Sequence, residues 1–334
     1  GTPGNYSVRV RIEPRYVNEN CTCCGECAKV CEMEISNELN FGMDRTKGAY
    51  LPHEMAFPAR YVISPQIIGT DDARKCKEAC PYDAVDLEME PKTVDLKVGA
   101  IVWATGWKPY DAGRIDNLGY GRYPNIITNM MMERLAAPNG PTRGNIQRPS
   151  DDAAPKSVAF VQCAGSRDEN HLPYCSYICC MASLKQATYI REQYPDTDVY
   201  VFYIDIRAPG QRYEKFYSQI KEDEKVHLIK GKVAEVEEDP ETRNITVVAE
   251  NAVTGEKIRK TVDMAVLATG MQPTAAKAKL PADLTYNADG FIINDFEKGG
   301  MFAAGCANKP ADVVSSNQNA TGMALKAIQT LVSR

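Results

Sequence analysis

Four cysteines at the spacing C-x2-C-x2-C-x3-C, namely Cys21, Cys24, Cys27 and Cys31, constrain this chain more than any other feature. Soft thiolates select iron–sulfur clusters or zinc. This run has the spacing of bacterial two-cluster ferredoxins, with Glu32 where a proline usually follows. In that arrangement the fourth cysteine of each run serves the other cluster. Here the second run is depleted. Only Cys76-x3-Cys80-Pro81 remains, and Thr70 and Ala73 stand at the first two ligand places. Cys21, Cys24, Cys27 and Cys80 therefore complete one [4Fe–4S] cluster, and Cys31 and Cys76 are two ligands short of a second. Cys23 lies off the spacing, and the roles of Cys23, Cys31 and Cys76 stay open.

A second cysteine set lies near the middle. Cys163 follows an apolar run over residues 157–162, which reads as a buried strand. Cys175, Cys179 and Cys180 fall at i, i+4 and i+5 at the start of a helix predicted over residues 177–194, where i and i+4 share a face. A strand end facing a helix start brings the four sulfurs together. The set suits a second [4Fe–4S] cluster, with zinc as the rival for any four-cysteine site and buried free cysteine as the bland alternative.

The compartment follows from cysteine usage. Twelve cysteines clustered in short motifs of a 334-residue chain point to metal in a reducing cytosol rather than to disulfides. A net charge of −5 without a long basic run argues against nucleic acid as a partner. No 18-residue apolar run is present, so no direct membrane span is expected. No signal peptide is recognised, and a start at Gly1 without methionine suggests a fragment or processed product.

Hydrophobic patterning predicts an α/β fold. Residues 6–12 alternate as a half-exposed strand, residues 98–106 and 263–270 form buried strands, and residues 198–204 follow the central helix in a strand–helix–strand order that implies a parallel pair. Short strands are expected over 226–229, 232–238, 244–249 and 257–262, and a last helix over about 312–332. Residues 40–66 read as a long connection, and 138–156, with four prolines, as a linker.

Two strand ends carry Ala-Thr-Gly: Ala104, Thr105 and Gly106, then Ala268, Thr269 and Gly270. Glycine there lets backbone approach a dinucleotide closely. Gly305-Cys306 before the last helix adds to this, because two-dinucleotide flavoproteins usually carry Gly-Asp there. Two further features are absent. No G-x-G-x-x-G follows a first strand, so the pyrophosphate turn of a FAD domain is missing. Cys163-Ala-Gly-Ser-Arg occupies the place of a nicotinamide-binding glycine loop, so no NAD(P)H site is expected.

Together these residues resemble the A-type subunits of heterodisulfide reductase. Within that family the chain is most similar to the A-type member of the quinone-interacting membrane-bound oxidoreductase of sulfate reducers. The resemblance rests on the ferredoxin-like segment, the Gly99-Ala-Ile-Val-Trp-Ala-Thr-Gly-Trp-Lys-Pro109 stretch, the Cys163 to Cys180 run and Gly305-Cys306. It implies a two-dinucleotide-binding, thioredoxin-reductase-like flavoprotein with an inserted ferredoxin-like iron–sulfur module. Residues 1–14, 91–150 and 263–334 would form a FAD-binding domain lacking its first βαβ, 15–90 the inserted ferredoxin-like domain, and 151–262 a second nucleotide-binding-like domain. It implies FAD and two [4Fe–4S] clusters as cofactors, and it places Lys185 near the flavin's reactive edge.

The function implied is electron transfer, in sulfate respiration, on the cytoplasmic face of a membrane complex. The chain would be held there by partner subunits with iron–sulfur centres and by haem- or quinone-linked membrane subunits, linking the quinone pool to adenylylsulfate reductase. The alternative is a cytosolic component of heterodisulfide-reductase type working with B- and C-type subunits, with electron bifurcation at its flavin an open option. A zinc-stabilised scaffold is the third reading. His53, His171 and His227 are the only histidines and read as packing or surface residues. His171, inside the cysteine loop, is the best outside candidate for tuning a cluster. Met130 to Met132, Trp103 and Trp107 read first as packing.

Overall fold

The computed structural model describes residues 1–332. It falls into two compact units, one formed by Asn5–Val98 with Gly1, the other by Thr2–Gly4 and the chain from Gly99 onward.

In the first unit, Tyr6–Ile12 pairs antiparallel with Lys92–Val98, from Tyr6 opposite Val98 to Ile12 opposite Lys92. The alternation expected of a half-covered strand is present in sequence, yet only Tyr6 of the first strand is buried. Between these strands the chain folds around Val17, Cys27, Cys31, Ala49, Ile63, Ile67, Ala73, Cys76, Ala84 and Val85. Two short helices, Glu26–Val30 and Asp71–Glu78, pack in this core. Residues 40–66 are not a bare connection: Arg45–Lys47, Ala49–Tyr50 and Val62–Ile63 are strands, too short to leave a periodic signal.

The second unit is built on a five-stranded sheet. Its order is Val226–Lys230, Asp198–Tyr203, Ser157–Ala164, Met264–Thr269, Ile126–Thr128, and every neighbour pair is parallel. The central strands are continuous apolar runs, as expected of strands covered on both faces. Phe160, Val201, Val266 and Leu267 are all essentially inaccessible. Helix Cys179–Gln193 joins the Ser157–Ala164 strand to the Asp198–Tyr203 strand, and helix Gln211–Lys221 joins the latter to Val226–Lys230. An antiparallel meander of Val233–Glu238, Ile245–Glu250 and Lys257–Val262 precedes Met264–Thr269. This is the α/β class that the sequence predicts.

Two smaller pairings flank the sheet. Ile101–Trp103 lies parallel to Met301–Ala303, and Trp107–Pro109 antiparallel to Met271–Pro273. The run over 98–106, predicted as one strand, is broken at Gly99, whose carbonyl accepts the Gly4 N–H. Residues 138–156 form no helix or strand, but they are anchored. Ile146 is buried, donates its N–H to Gln193 at 2.7 Å and accepts from the Tyr194 hydroxyl at 2.8 Å. The last helix, Val313–Val332, has no buried residue among those described and exposes Val313, Val314, Leu325, Ile328 and Leu331.

Candidate functional site

The first unit gathers the predicted ligands. Cys21, Cys24, Cys27 and Cys80 line one small hollow, closed by Val17, Tyr61, Tyr82, Ala84 and Val85. Gly25, at φ 80°, turns the chain between Cys24 and Cys27. The Ala84 N–H donates to the Cys80 sulfur at 3.3 Å, a contact of the kind that tunes cluster sulfurs. Burial pushes the Cys27 thiol up to about 11, so it needs a bound positive centre to be held as thiolate. An apolar hollow ringed by four free cysteines fits a cubane.

At the two positions where a second run would carry its first ligands, the chain starts a helix. Thr70 caps helix Asp71–Glu78, its hydroxyl accepting the Ala73 N–H. The two residues at the missing ligand places thus form a helix start instead. Asp72 in that first turn accepts the Glu32 N–H at 2.7 Å, the Met33 N–H, and the Cys31 thiol at 3.6 Å. Cys31 and Cys76 are fully buried. Burial and then the neighbouring Cys31 push the Cys76 thiol up to about 12, and it donates to the Cys27 carbonyl.

In the second unit, Cys163 sits where the Ser157–Ala164 strand loses register between Val161 and Ala164, and it adopts φ 57°. A non-glycine residue held there is strained, which is typical of functional positions. The helix predicted from residue 177 begins only at Cys179. Tyr177, at φ 71°, interrupts it, so Cys175 reaches the others through a turn and not along a helical face. Serines tie that turn down: the Ser166 and Ser176 hydroxyls bond at 2.8 Å, and the Met271 N–H donates to Ser176 at 2.7 Å. The neighbouring cysteines help to raise the pKa of Cys163, Cys179 and Cys180. Burial is the larger cause and takes Cys163 to about 11. Tyr177 donates its N–H to the Cys175 sulfur at 3.4 Å, and the Arg207 N–H donates to Cys180. Four gathered cysteines, two of them buried and two receiving backbone donors, also fit a cluster. Among the described residues, no three His, Cys, Asp or Glu side chains converge closely enough to hold a single metal ion.

Beside this set lies a cleft of about 910 Å³. Its wall includes Tyr177, Met181 and Lys185 of the helix and turn just described, Trp107, Met271, Cys306 and Asp312. Two predicted residues, Lys185 and Cys306, therefore meet at one cavity. Lys185 pairs with Glu133 at 2.9 Å and lies over the Tyr189 ring. Burial, the largest single influence, pulls its pKa down, but the Glu133 and Tyr189 interactions together outweigh it and the net shift is upward. Cys306 donates to the Ala311 carbonyl at 3.4 Å. The last helix begins one residue later than predicted, because Asp312 caps it by accepting the Ser315 N–H.

The Ala-Thr-Gly copies differ in their surroundings. Near the first, the Trp103 Nε1 and Thr105 Oγ1 atoms are buried without a hydrogen-bond partner, and Gly106, at φ 69°, faces open space, beside exposed Ala104. Orphaned polar atoms and an open glycine suit a cofactor's approach. At the second, a Cβ on Gly270 would strike Leu172 and the Ser166 hydroxyl at 2.5 Å. Thr269 bonds to Asn129 at 3.2 Å, and its carbonyl accepts from Cys179 at 3.6 Å. That copy is packed against the cysteine loop. Gly305 donates its N–H to Asn319 at 2.8 Å. Asp72, Glu133, Arg167 and Asp205 escaped the sequence reading, since lone charged residues carry no spacing signal.

An α/β protein with two cysteine sets suited to clusters and a cleft suited to a flavin is the class that fold and site define. No protein-family model matches the chain. Across nearly its whole length, however, the chain is similar to the A-type subunits of heterodisulfide reductase. It is 38% identical over 345 residues to the second iron–sulfur A-type subunit of CoB–CoM heterodisulfide reductase from Methanopyrus kandleri, covering 100% of this chain and 52% of the relative. It is 39% identical to the A-type subunit of the ferredoxin/F420H2-dependent CoB–CoM heterodisulfide reductase of Methanosarcina acetivorans, covering 99% and 43%. The iron–sulfur A-type subunit from Methanocaldococcus jannaschii is 38% identical, covering 97% and 51%. The chain spans about half the length of the curated relatives it matches. Among solved structures, thioredoxin reductases of Lactococcus lactis and T. acidophilum align with TM-scores of 0.44 and 0.45 at 14% and 12% identity, each over 86% of this chain and over 86% and 84% of theirs.

Proposed function

We propose that the chain is the flavin- and cluster-bearing part of an oxidoreductase of the heterodisulfide reductase A type, passing electrons between a flavin in the Lys185–Cys306 cleft and a cluster on Cys163, Cys175, Cys179 and Cys180. One observation carries the reading. Helix Cys179–Gln193 starts with two of the four cysteines, and its next turns, through Met181 and Lys185, form the wall of the cleft. A shared helix keeps the two redox sites at a fixed separation. FAD, when bound, converts two-electron exchange with a donor into one-electron exchange with clusters. The chain's own part is to orient: Lys185 offers a cation at the cleft, Trp107 and Met271 offer apolar surface, and the buried serine knot excludes water behind the cysteines.

Cys21, Cys24, Cys27 and Cys80 would hold the second cluster and extend the relay toward other subunits. The relatives' names favour this reading over the narrower expectation of a quinone-linked component serving adenylylsulfate reductase, which no observation separately supports. No helix among the described residues is long and apolar enough to cross a membrane, so attachment to a membrane would depend on partner subunits. The test is anaerobic reconstitution of the full chain with iron and sulfide. Cys179→Ser should lose about four irons, one cubane's worth. Iron content equal to the unsubstituted chain would sink the proposal.

A further inference from the structure

Arg167 lies in the loop between Cys163 and Cys175 and is only partly exposed. Its guanidinium reaches the Cys163 sulfur and pairs with Asp205 at 2.8 Å. Asp205 follows the neighbouring strand, and its carbonyl accepts from the Cys180 sulfur at 3.7 Å. Arg207 stands 3.7 Å from the same Asp205 carboxylate and sends its own N–H to Cys180. The first and last cysteines of the run are thus joined to one polar group centred on Asp205. A few residues farther along, Pro209 and Arg212 line the cleft.

We infer that Arg167, oriented by Asp205, is the positioning residue that sets the reduction potential of the central four-cysteine cluster. The inference rests on the cluster reading given above and goes beyond it by naming what tunes the site. Reduction adds one electron and no proton to a cluster, so its negative charge grows. A guanidinium donating to a ligand sulfur stabilises the reduced form more than the oxidised one, and hydrogen bonds to sulfur are a recognised lever on cluster potential. Asp205 has two opposing effects. It aims Arg167 at Cys163, and its own negative charge disfavours the added electron; an Asn in its place still accepts the guanidinium N–H and keeps the aim, so Asp205→Asn removes only the charge. Removing the cation and removing the anion should therefore move the potential in opposite directions. Loosening of the loop would not produce that pattern.

The experiment uses the full chain reconstituted anaerobically with iron and sulfide and titrated with dithionite while its electron paramagnetic resonance is followed. The central cluster's signal is the one that Cys179→Ser removes. Arg167→Gln should keep the iron content and leave about tenfold less reduced cluster at a fixed ambient potential, equivalent to about 59 mV for a one-electron couple. Arg167→Lys should restore part of that loss, and Asp205→Asn should shift the midpoint upward. An unmoved midpoint in Arg167→Gln with full iron overturns the inference. So does a shift of Arg167→Gln and Asp205→Asn in the same direction. If Arg167→Gln loses iron, the opposed shifts of Arg167→Lys and Asp205→Asn decide the matter. Full iron in Cys179→Ser would instead defeat the underlying cluster reading, which keeps the two failures apart.

Discussion

The Cys31 thiol donates to the Asp72 carboxylate at 3.6 Å, in the region where a two-cluster ferredoxin module would hold its second cluster. The same carboxylate takes the N–H groups of Glu32 and Met33. These hydrogen bonds, led by that of Met33, hold the Asp72 carboxyl below the usual carboxylate range. A depressed carboxyl contributes stability that is fully present above the unfolded pKa of about 3.9 and is lost as pH falls through the folded value. Asp72→Ala should cost about 1–3 kcal/mol at neutral pH, because three donors, the Cys31 thiol among them buried, lose their acceptor. The difference from the unsubstituted chain should shrink as pH falls below about 4. Thermal melts across pH check this, and a constant difference down to the lowest pH would contradict it.

Iron counting separates the cysteines of the first unit. Cys24 lines the hollow, whereas Cys31 and Cys76 face Asp72 and the Cys27 carbonyl. Cys24→Ser should lose about four irons from the reconstituted chain and Cys31→Ser essentially none, since one cubane holds four. Equal losses would mean that Cys31 is a ligand and that the module holds a second cluster.

Much of this was legible in sequence because chemistry with fixed spacing leaves a pattern. C-x2-C-x2-C and the continuous apolar strands are such patterns, and each emerged as a hollow or a parallel sheet. Where backbone conformation departs from a period, reading fails. Tyr177 at positive φ interrupts the predicted helix start, and nothing in its side chain announces it. The remaining misses are electrostatic. Glu133 meets Lys185 across 52 positions of sequence, and Asp205 meets Arg167 across 38. Pairs so distant become visible only when the fold brings their elements together.

The knot of Ser166 and Ser176 gives a prediction that involves no metal ligand. Ser176 also accepts the Met271 N–H, and both serines are almost fully buried. Ser176→Ala leaves the Met271 donor and the Ser166 hydroxyl without this partner, at a cost of about 1–3 kcal/mol. Because that knot fixes the turn carrying Cys175, cluster retention should fall as well. Iron release during a denaturant titration should begin at lower denaturant than in the unsubstituted chain. Coincident release curves would show that the turn is held by other contacts.

The Lys185–Glu133 pair makes the flavin site testable in both directions. Lys185 faces the cleft with its charge partly balanced by Glu133 at 2.9 Å, and the side chain is about half exposed. A cation beside a reduced, anionic flavin stabilises it by Coulomb attraction, an effect that solvent moderates. Lys185→Ala should lower the flavin's potential by about 30 mV, the two-electron equivalent of about 1.4 kcal/mol. Glu133→Gln removes the balancing anion and should raise it. Both variants should keep their iron, since neither residue contacts a cysteine sulfur. Spectroelectrochemical titration of the FAD-loaded chain reads both shifts. A potential unmoved in both would leave Lys185 as a helix residue paired across to Glu133, and the cleft would need another cation to answer the flavin's charge.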